Sequence, residues 1–195
     1  MKKINLNGWI ILIADINKTH LQVIKRELQP KNHNYYLHIA IAPTKSIDRY
    51  KFFIEKATEI GIDEITPIIC NRSERKIIKE DRINKIIISA IKQSLKYHMP
   101  KLNSVTNFKN FIKRNFKEDK YIAHCNKDVK KLAVHIKSTN QIVMLIGPEG
   151  DFSDDEIELA LKNNFKPISL GNSRLRTETA GIVATNTINL ISNNI

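Results

Sequence analysis

Cysteine is nearly absent from this chain of 195 residues, with Cys70 and Cys125 the only two. Two thiols so far apart in sequence supply neither a disulfide framework nor the paired spacing of a zinc site. That points to a reducing compartment, read as the cytoplasm, and to no metal. No apolar run approaches membrane-spanning length, so no membrane partner is expected. The opening stretch MKKINLNGWIILIADINK has basic residues and an apolar patch. Asp15 breaks that patch and no small-residue cleavage signal follows, which argues against a secretion leader. Glycine is sparse, and neither G-x-G-x-x-G nor Gly-Lys-Ser/Thr occurs, so a dinucleotide fingerprint and a Walker loop are both missing. Internal repeats and low-complexity tracts are missing too. Trp9 is the single tryptophan and reads as a packing residue of an N-terminal hairpin. Acidic residues are in deficit, 20 against 32 Lys and Arg, for a formal net charge of +12. A solvated lysine-rich surface accounts for part of this, and a polyanionic partner accounts for it better.

At 42% hydrophobic residues the chain can bury one good core, and one main domain is expected. Gly8 to Ile16 and Leu21 to Leu28 read as two strands joined by Asn17, Lys18 and Thr19, with Gln29 to Asn34 as a linker. The main domain opens with a strand from Leu37 to Ala42, halted by Pro43. A helix over Thr44 to Ile60 presents Tyr50, Phe53, Ile54, Ala57 and Ile60 to the core and stops at Gly61. Ile65 to Ile69 forms the next strand. A helix over Asp81 to Tyr97 then carries Ile83, Ile86, Ile87, Ala90, Ile91 and Leu95 on one face, and His98 near its end reads as a surface histidine. Asn107 to Phe116 is a short helix and Tyr121 to Ala123 a strand, with His124 and Cys125 in the loop beyond. Strand, helix, strand in this order implies a parallel sheet, hence an α/β fold.

The chemistry concentrates between Ile142 and Ile191. Ile142 to Ile146 reads as a strand buried on both faces and halted by Gly147 and Pro148. Ser153 and Glu156 form a capping box, and Asp154 and Asp155 suit the first turn of the helix they open, whose apolar positions are Ile157, Ala160 and Leu161. Pro167 to Leu170 is a second strand ending in Gly171. A cationic loop from Asn172 to Arg176 leads into a closing helix with Ala180, Val183, Ala184, Ile188 and Ile191 on one face. Two strand-loop-helix units set two loops at one carboxyl edge, where open α/β sheets bind ligands. Gly147, Pro148 and Gly150 let backbone approach a flat ligand, and Glu149 adds a charge. The turn GPEGD alone reads as only a turn. Ser173, Arg174, Arg176, Thr177, Glu178 and Thr179 beside it bring more charge and hydroxyl than a structural helix entry needs.

IGPEGDFSDDEIELA followed by LGNSRLRTETA resembles the C-terminal signature of the RsmE family, the 16S ribosomal RNA (uridine-N3) methyltransferases of the SPOUT superfamily. APTKSIDRYKFFIEKATEIGIDEITPIICNRSERK is similar to that family's earlier block and KQSLKYHMPKL to its middle helix, so the resemblance runs from about Leu37 to the C-terminus. It implies a Rossmann-like methyltransferase domain with a deep trefoil knot over 35–195. Gly8 to Leu28 resembles only the last strands of the family's PUA-like barrel, so 1–34 is expected to be a partial PUA-like β segment with a linker. The chain differs from many members at Asp151, where a second glycine is usual. It differs again at Ser173 and Arg174, where an arginine followed by an aliphatic residue is usual. S-adenosylmethionine is the implied cofactor. Backbone groups of Gly147, Glu149, Gly150, Leu170, Gly171 and Leu175 are expected to hold it, with His124, Ile146, Pro148 and Ser173 completing the set.

The implied partners are the 16S RNA of the small ribosomal subunit and a second copy of the chain. Uracil N3 is a poor nucleophile until its proton is lost, so Arg176 or Arg174 is expected to hold the developing anion and Glu178 to accept the proton. Lys45, Arg49, Arg72, Arg75 and Lys96 are the expected contacts to the RNA backbone. A ribose 2′-O-methyltransferase of the same superfamily and a non-catalytic RNA-binding protein are the alternatives. The first would carry an early Asn-x4-Arg motif and a late Ser-Leu-Asn-Val-Ser run, and this chain carries neither.

Overall fold

The structure, a computed structural model, describes residues 10–15, 18–23, 31–125, 133, 136 and 141–192. Trp9, Asn17 and the first two residues of the expected linker, Gln29 and Pro30, lie outside them. Strands β1 (Ile10–Asp15) and β2 (Lys18–Val23) pair antiparallel as a sheet of their own. Lys18 and Thr19, expected in the joining turn, are strand residues opposite Asp15 and Ala14, because the ladder continues to that pair.

The second sheet contains β3 (Tyr36–Ile41), β4 (Glu64–Ile69), β5 (Lys101–Leu102), β6 (Thr106–Asn107), β7 (Asp119–Ala123), β8 (Gln141–Ile146) and β9 (Lys166–Ile168). Its order is β5-β4-β3-β8-β7-β9, with β6 also on β4, and every pairing is parallel. Helices α1 (Ile47–Ile60), α2 (Glu80–Gln93) and α5 (Thr177–Ser192) contribute to one apolar cluster, and α3 (Phe108–Ile112) and α4 (Asp154–Lys162) to another. Strand β8 shows why there are two. Met144 and Ile146 enter the first cluster while Val143 and Leu145 enter the second, as alternate residues of a strand must.

The first helix ends as its sequence indicates. Gly61, at φ 139, donates its N–H to the Ala57 carbonyl, and the Tyr35 hydroxyl donates to the Gly61 carbonyl at 2.8 Å. The other helices depart from simple periodicity. Helix α2 stops at Gln93 rather than Tyr97, because the Ser94 N–H and hydroxyl both turn back onto Ala90 O. Leu95 then takes φ 52 and is 76% exposed, so it leaves the apolar face. Leu161 is also exposed, since α4 buries Glu156 and Ala160 while Phe152 and Phe165 at its ends fill the core. In α5 the buried line is Thr177, Gly181, Ala184 and Ile188, with Val183 and Ile191 only partly covered. A β-carbon at Gly181 would lie 2.6 Å from the Phe53 ring, so the missing side chain lets α5 seat on α1 and β3.

The amino edge of the sheet is closed by a buried carboxylate. Asp63 accepts from Lys31 Nζ and from Leu37 N–H at 2.9 Å, and faces His33 Nε2 at 3.1 Å and His98 Nε2 at 3.2 Å. Burial alone would raise its pKa, but these partners outweigh burial and hold it well below the usual range. His98 is thus a structural partner on this edge. Among the described residues no helix is long and apolar enough to cross a membrane.

Candidate active site

Three loops meet at the carboxyl edge around a cleft of about 350 Å³, following β7, β8 and β9. The loop after β8 is the most tightly determined. A β-carbon at Gly147 would stand 3.1 Å from the Phe152 ring, so only glycine lets the chain leave the strand against that aromatic. The capping box is complete, with Ser153 Oγ accepting Glu156 N–H and Glu156 Oε2 accepting Ser153 N–H. Glu149 Oε1 accepts the Lys45 N–H at 2.8 Å and ties this loop to the start of α1. The loop after β9 turns on Ser169, whose hydroxyl donates to the Gly171 carbonyl at 2.9 Å. Ala133 N–H donates to the Ser169 carbonyl at 2.8 Å, so the connection between β7 and β8 touches this third loop.

Of the residues expected at a cofactor, His124, Ile146, Gly147, Pro148, Glu149, Leu170, Gly171, Ser173 and Leu175 line the cleft. Arg174, expected at the substrate anion, lines it too. Gly150 does not. It faces Arg72, which donates to the Gly150 carbonyl at 2.8 Å and would meet a β-carbon there at 3.3 Å. Asp151, Asn172, Cys125, Thr177 and Ala180 line the cleft without having been assigned to the cofactor. The last two could have been found from helical spacing, since positions three apart share a face.

The expected catalytic residues divide. Arg176 is exposed and does not itself line the cleft, although its chain neighbours Leu175 and Thr177 do. Glu178 is turned roughly one helical step away from Thr177, onto α1, and is 7% exposed. Its Oε1 lies 3.9 Å from Arg49 Nε, and its Oε2 is buried without a hydrogen-bond partner. Placed there, Glu178 does not line the cleft. Burial lowers the pKa of His124 against an opposing effect of Asp151, so its imidazole is neutral at pH 7. Burial, and then Asp151, raise that of the Cys125 thiol.

Lys45, Arg49, Arg72 and Arg75 gather on the carboxyl edge. Arg75 donates to the carbonyls of Thr44 at 3.0 Å and Lys45 at 2.7 Å, and Lys45 Nζ meets Glu74 at 2.9 Å. Lys96 does not join them. It donates to the Ile60 carbonyl at 3.0 Å beside the Asp63 cluster, because the end of α2 lies at the amino edge. Among the described residues no group of His, Cys, Asp or Glu could hold a metal ion.

The cleft fits a nucleoside-based methyl donor. Its volume is that of a small-molecule site, and its walls join apolar Ile146, Leu170 and Leu175 to the carboxylates of Glu149 and Asp151. A β-carbon at Gly171 would meet nothing within 4 Å, so that backbone borders open space. This arrangement defines a class, for residues 31–189 match the RNA methyltransferase domain family. The ribosomal RNA small subunit methyltransferase E of Rickettsia conorii is 32% identical over 188 residues, covering 94% of this chain and 76% of that protein. A solved structure from Porphyromonas gingivalis, described as a probable rRNA-methyltransferase, superposes with a TM-score of 0.89 at 38% identity, covering 95% of this chain and 80% of that one. The ribosomal RNA small subunit methyltransferase E of Neisseria gonorrhoeae, solved with bound S-adenosyl methionine, gives 0.75 at 25% identity, covering 90% and 75%. The chain belongs to the ribosomal RNA small subunit methyltransferase E family.

Proposed function

We propose that this chain transfers the methyl group of S-adenosylmethionine to N3 of a uridine in the 16S RNA of the small ribosomal subunit. The observation that carries the reading is the three-loop cleft with Arg174 on its wall, set at the edge where Lys45, Arg49, Arg72 and Arg75 also gather. The bound donor supplies an activated methyl group. Backbone of Gly147, Glu149, Leu170, Gly171 and Leu175 holds it, with Ile146, Pro148, His124 and Ser173 around it. Arg174 and Arg176 stabilise the uracil anion shared between O2, N3 and O4. Glu149, Asp151 and neutral His124 are the cleft-wall bases for the N3 proton. Placing uracil against the methyl group supplies the remaining acceleration.

Three structural readings accompany this one. The chain after β9 passes Ala133 and then crosses to α5 on the opposite face, which supports a trefoil knot formed by these loops. The separate β1–β2 sheet supports a division into a partial PUA-like segment over 1–34 and a methyltransferase domain over 35–195. Leu190 on α5 and Phe52 on α1 remain 46% and 50% exposed on helices that pack together, which favours a homodimer across them. Cytoplasmic action follows from the substrate. Incubation with labelled donor and small subunits should place label in 16S RNA. Label in no RNA, with no donor bound in equilibrium dialysis at millimolar concentration, would defeat the reading.

A further inference from the structure

Asp151 occupies a left-handed backbone conformation, φ 63, which is strained for a residue with a β-carbon and which glycine adopts freely. Its carboxylate spans two loops of the cleft. Oδ1 accepts the Phe152 N–H at 2.8 Å and Oδ2 accepts the Cys125 N–H at 2.9 Å. Each oxygen keeps accepting capacity, since a carboxylate has about four lone-pair sites. The residue is partly exposed and lines the cleft. Strain tolerated at a ligand site to keep a charge there is a sign of function.

Glu149 is a second carboxylate on the wall, turned towards the start of α1. Glu149 has Oε1 committed to the Lys45 N–H. Arg174 carries the opposite sign, and burial keeps His124 neutral.

We propose that Asp151 sets the preference of this cleft for the cationic methyl donor over its neutral spent product. The proposal rests on reading the cleft as the S-adenosylmethionine site. On transfer the S–CH3 bond breaks and its electron pair stays on sulfur while the N3–CH3 bond forms. The donor's sulfonium charge is thereby lost, and the thioether left behind has none. In a cleft of about 350 Å³ any bound sulfonium lies within roughly one Debye length of the Asp151 carboxylate. Attraction to Asp151 therefore favours donor entry and vanishes at the moment the product must leave.

Calorimetric titration of the full chain, Asp151→Asn and Asp151→Gly with S-adenosylmethionine and with S-adenosylhomocysteine tests this. The Asn variant is expected to lose about tenfold in donor affinity and less than about threefold in product affinity. The Gly variant, which relieves the backbone strain, should show the same fall in the donor-to-product ratio. Added salt should shrink that ratio for the unaltered chain and leave it nearly constant for the Asn variant. Equal losses for both ligands would reduce Asp151 to a clasp between loops and overturn the proposal, as would an unchanged ratio in both variants. An unaltered chain that binds neither ligand would instead remove the underlying reading of the cleft.

Discussion

The two edges of the parallel sheet use charge in opposite ways. At the amino edge Asp63 has a side chain only 2% exposed, and Lys31, His33, His98 and a backbone N–H all converge on it. At the carboxyl edge Arg174 and Arg176 stand exposed, and Arg72 and Arg75 donate to backbone carbonyls rather than meeting a buried carboxylate. A charge surrounded by its counterions can stabilise a fold but has little left to offer a ligand. A charge left open contributes little to stability and is available for an anion. The contrast teaches where to look for chemistry on this molecule, and each edge should answer differently to substitution.

The largest effect is expected on the open edge. Arg176→Ala should lower turnover by roughly 1000-fold while changing donor affinity less than about threefold, since its partner is the uracil anion. Single-turnover rates and calorimetry read the two quantities separately. Normal turnover would remove Arg176 from the reaction.

On the closed edge the response should be in stability. Asp63→Ala leaves Lys31, His33 and His98 without their common partner and should cost about 3 kcal/mol in denaturant unfolding, with donor affinity of the folded protein retained. A loss below 1 kcal/mol would mean that the cluster is ornamental.

Acid should act on the same half of the molecule. His38 is buried against Thr66 and Phe111, and burial chiefly lowers its pKa to about 4. The unfolded chain therefore takes up this proton first. Stability from this group is complete above about pH 6.5 and is lost as pH falls towards 4, a loss of roughly 3 kcal/mol for a shift of that size. Asp63 and Glu64 extend the decline. Burial opposes their ionisation, but hydrogen bonds prevail and hold Glu64 at about 2 and Asp63 lower, so their contribution is present above pH 4 and lost below it. A thermal midpoint that stayed flat from pH 6.5 to 4 would contradict the assignment to His38.

The smallest effects separate the cations. Arg75→Ala should lower RNA affinity and reduce its salt slope by about 1. Lys96→Ala should change neither, because Lys96 lies at the opposite edge on the Ile60 carbonyl. Equal effects from both would dissolve the distinction between the edges.

What could be seen in advance followed from the range of each signal. The Ser153–Glu156 box and the Gly61 stop are local, and both stand as their spacing indicates. The run from Ile142 to Ile146 is buried throughout, as an unbroken apolar strand should be. Leu95 misled because the helical period continues past the point where Ser94 ends the helix. The position of Glu178 was hidden for a different reason. Helical spacing states its angle from Thr177 but not that α1 lies opposite. The Asp63 cluster was out of reach because its partners come from separate stretches of chain and meet only once the topology is known. Two of the three loops follow from the strand-loop-helix pattern, whereas their cofactor role, and His124 on the third, come from resemblance to a family, since periodicity alone describes an ordinary doubly wound sheet.

The position of the transferred methyl group tests the central claim most directly. Small subunits treated with the purified chain and S-adenosylmethionine would be digested to nucleosides and the labelled product identified. The account predicts 3-methyluridine from one site in 16S RNA. A label on a ribose 2′-hydroxyl, or on a base other than uracil, would contradict it.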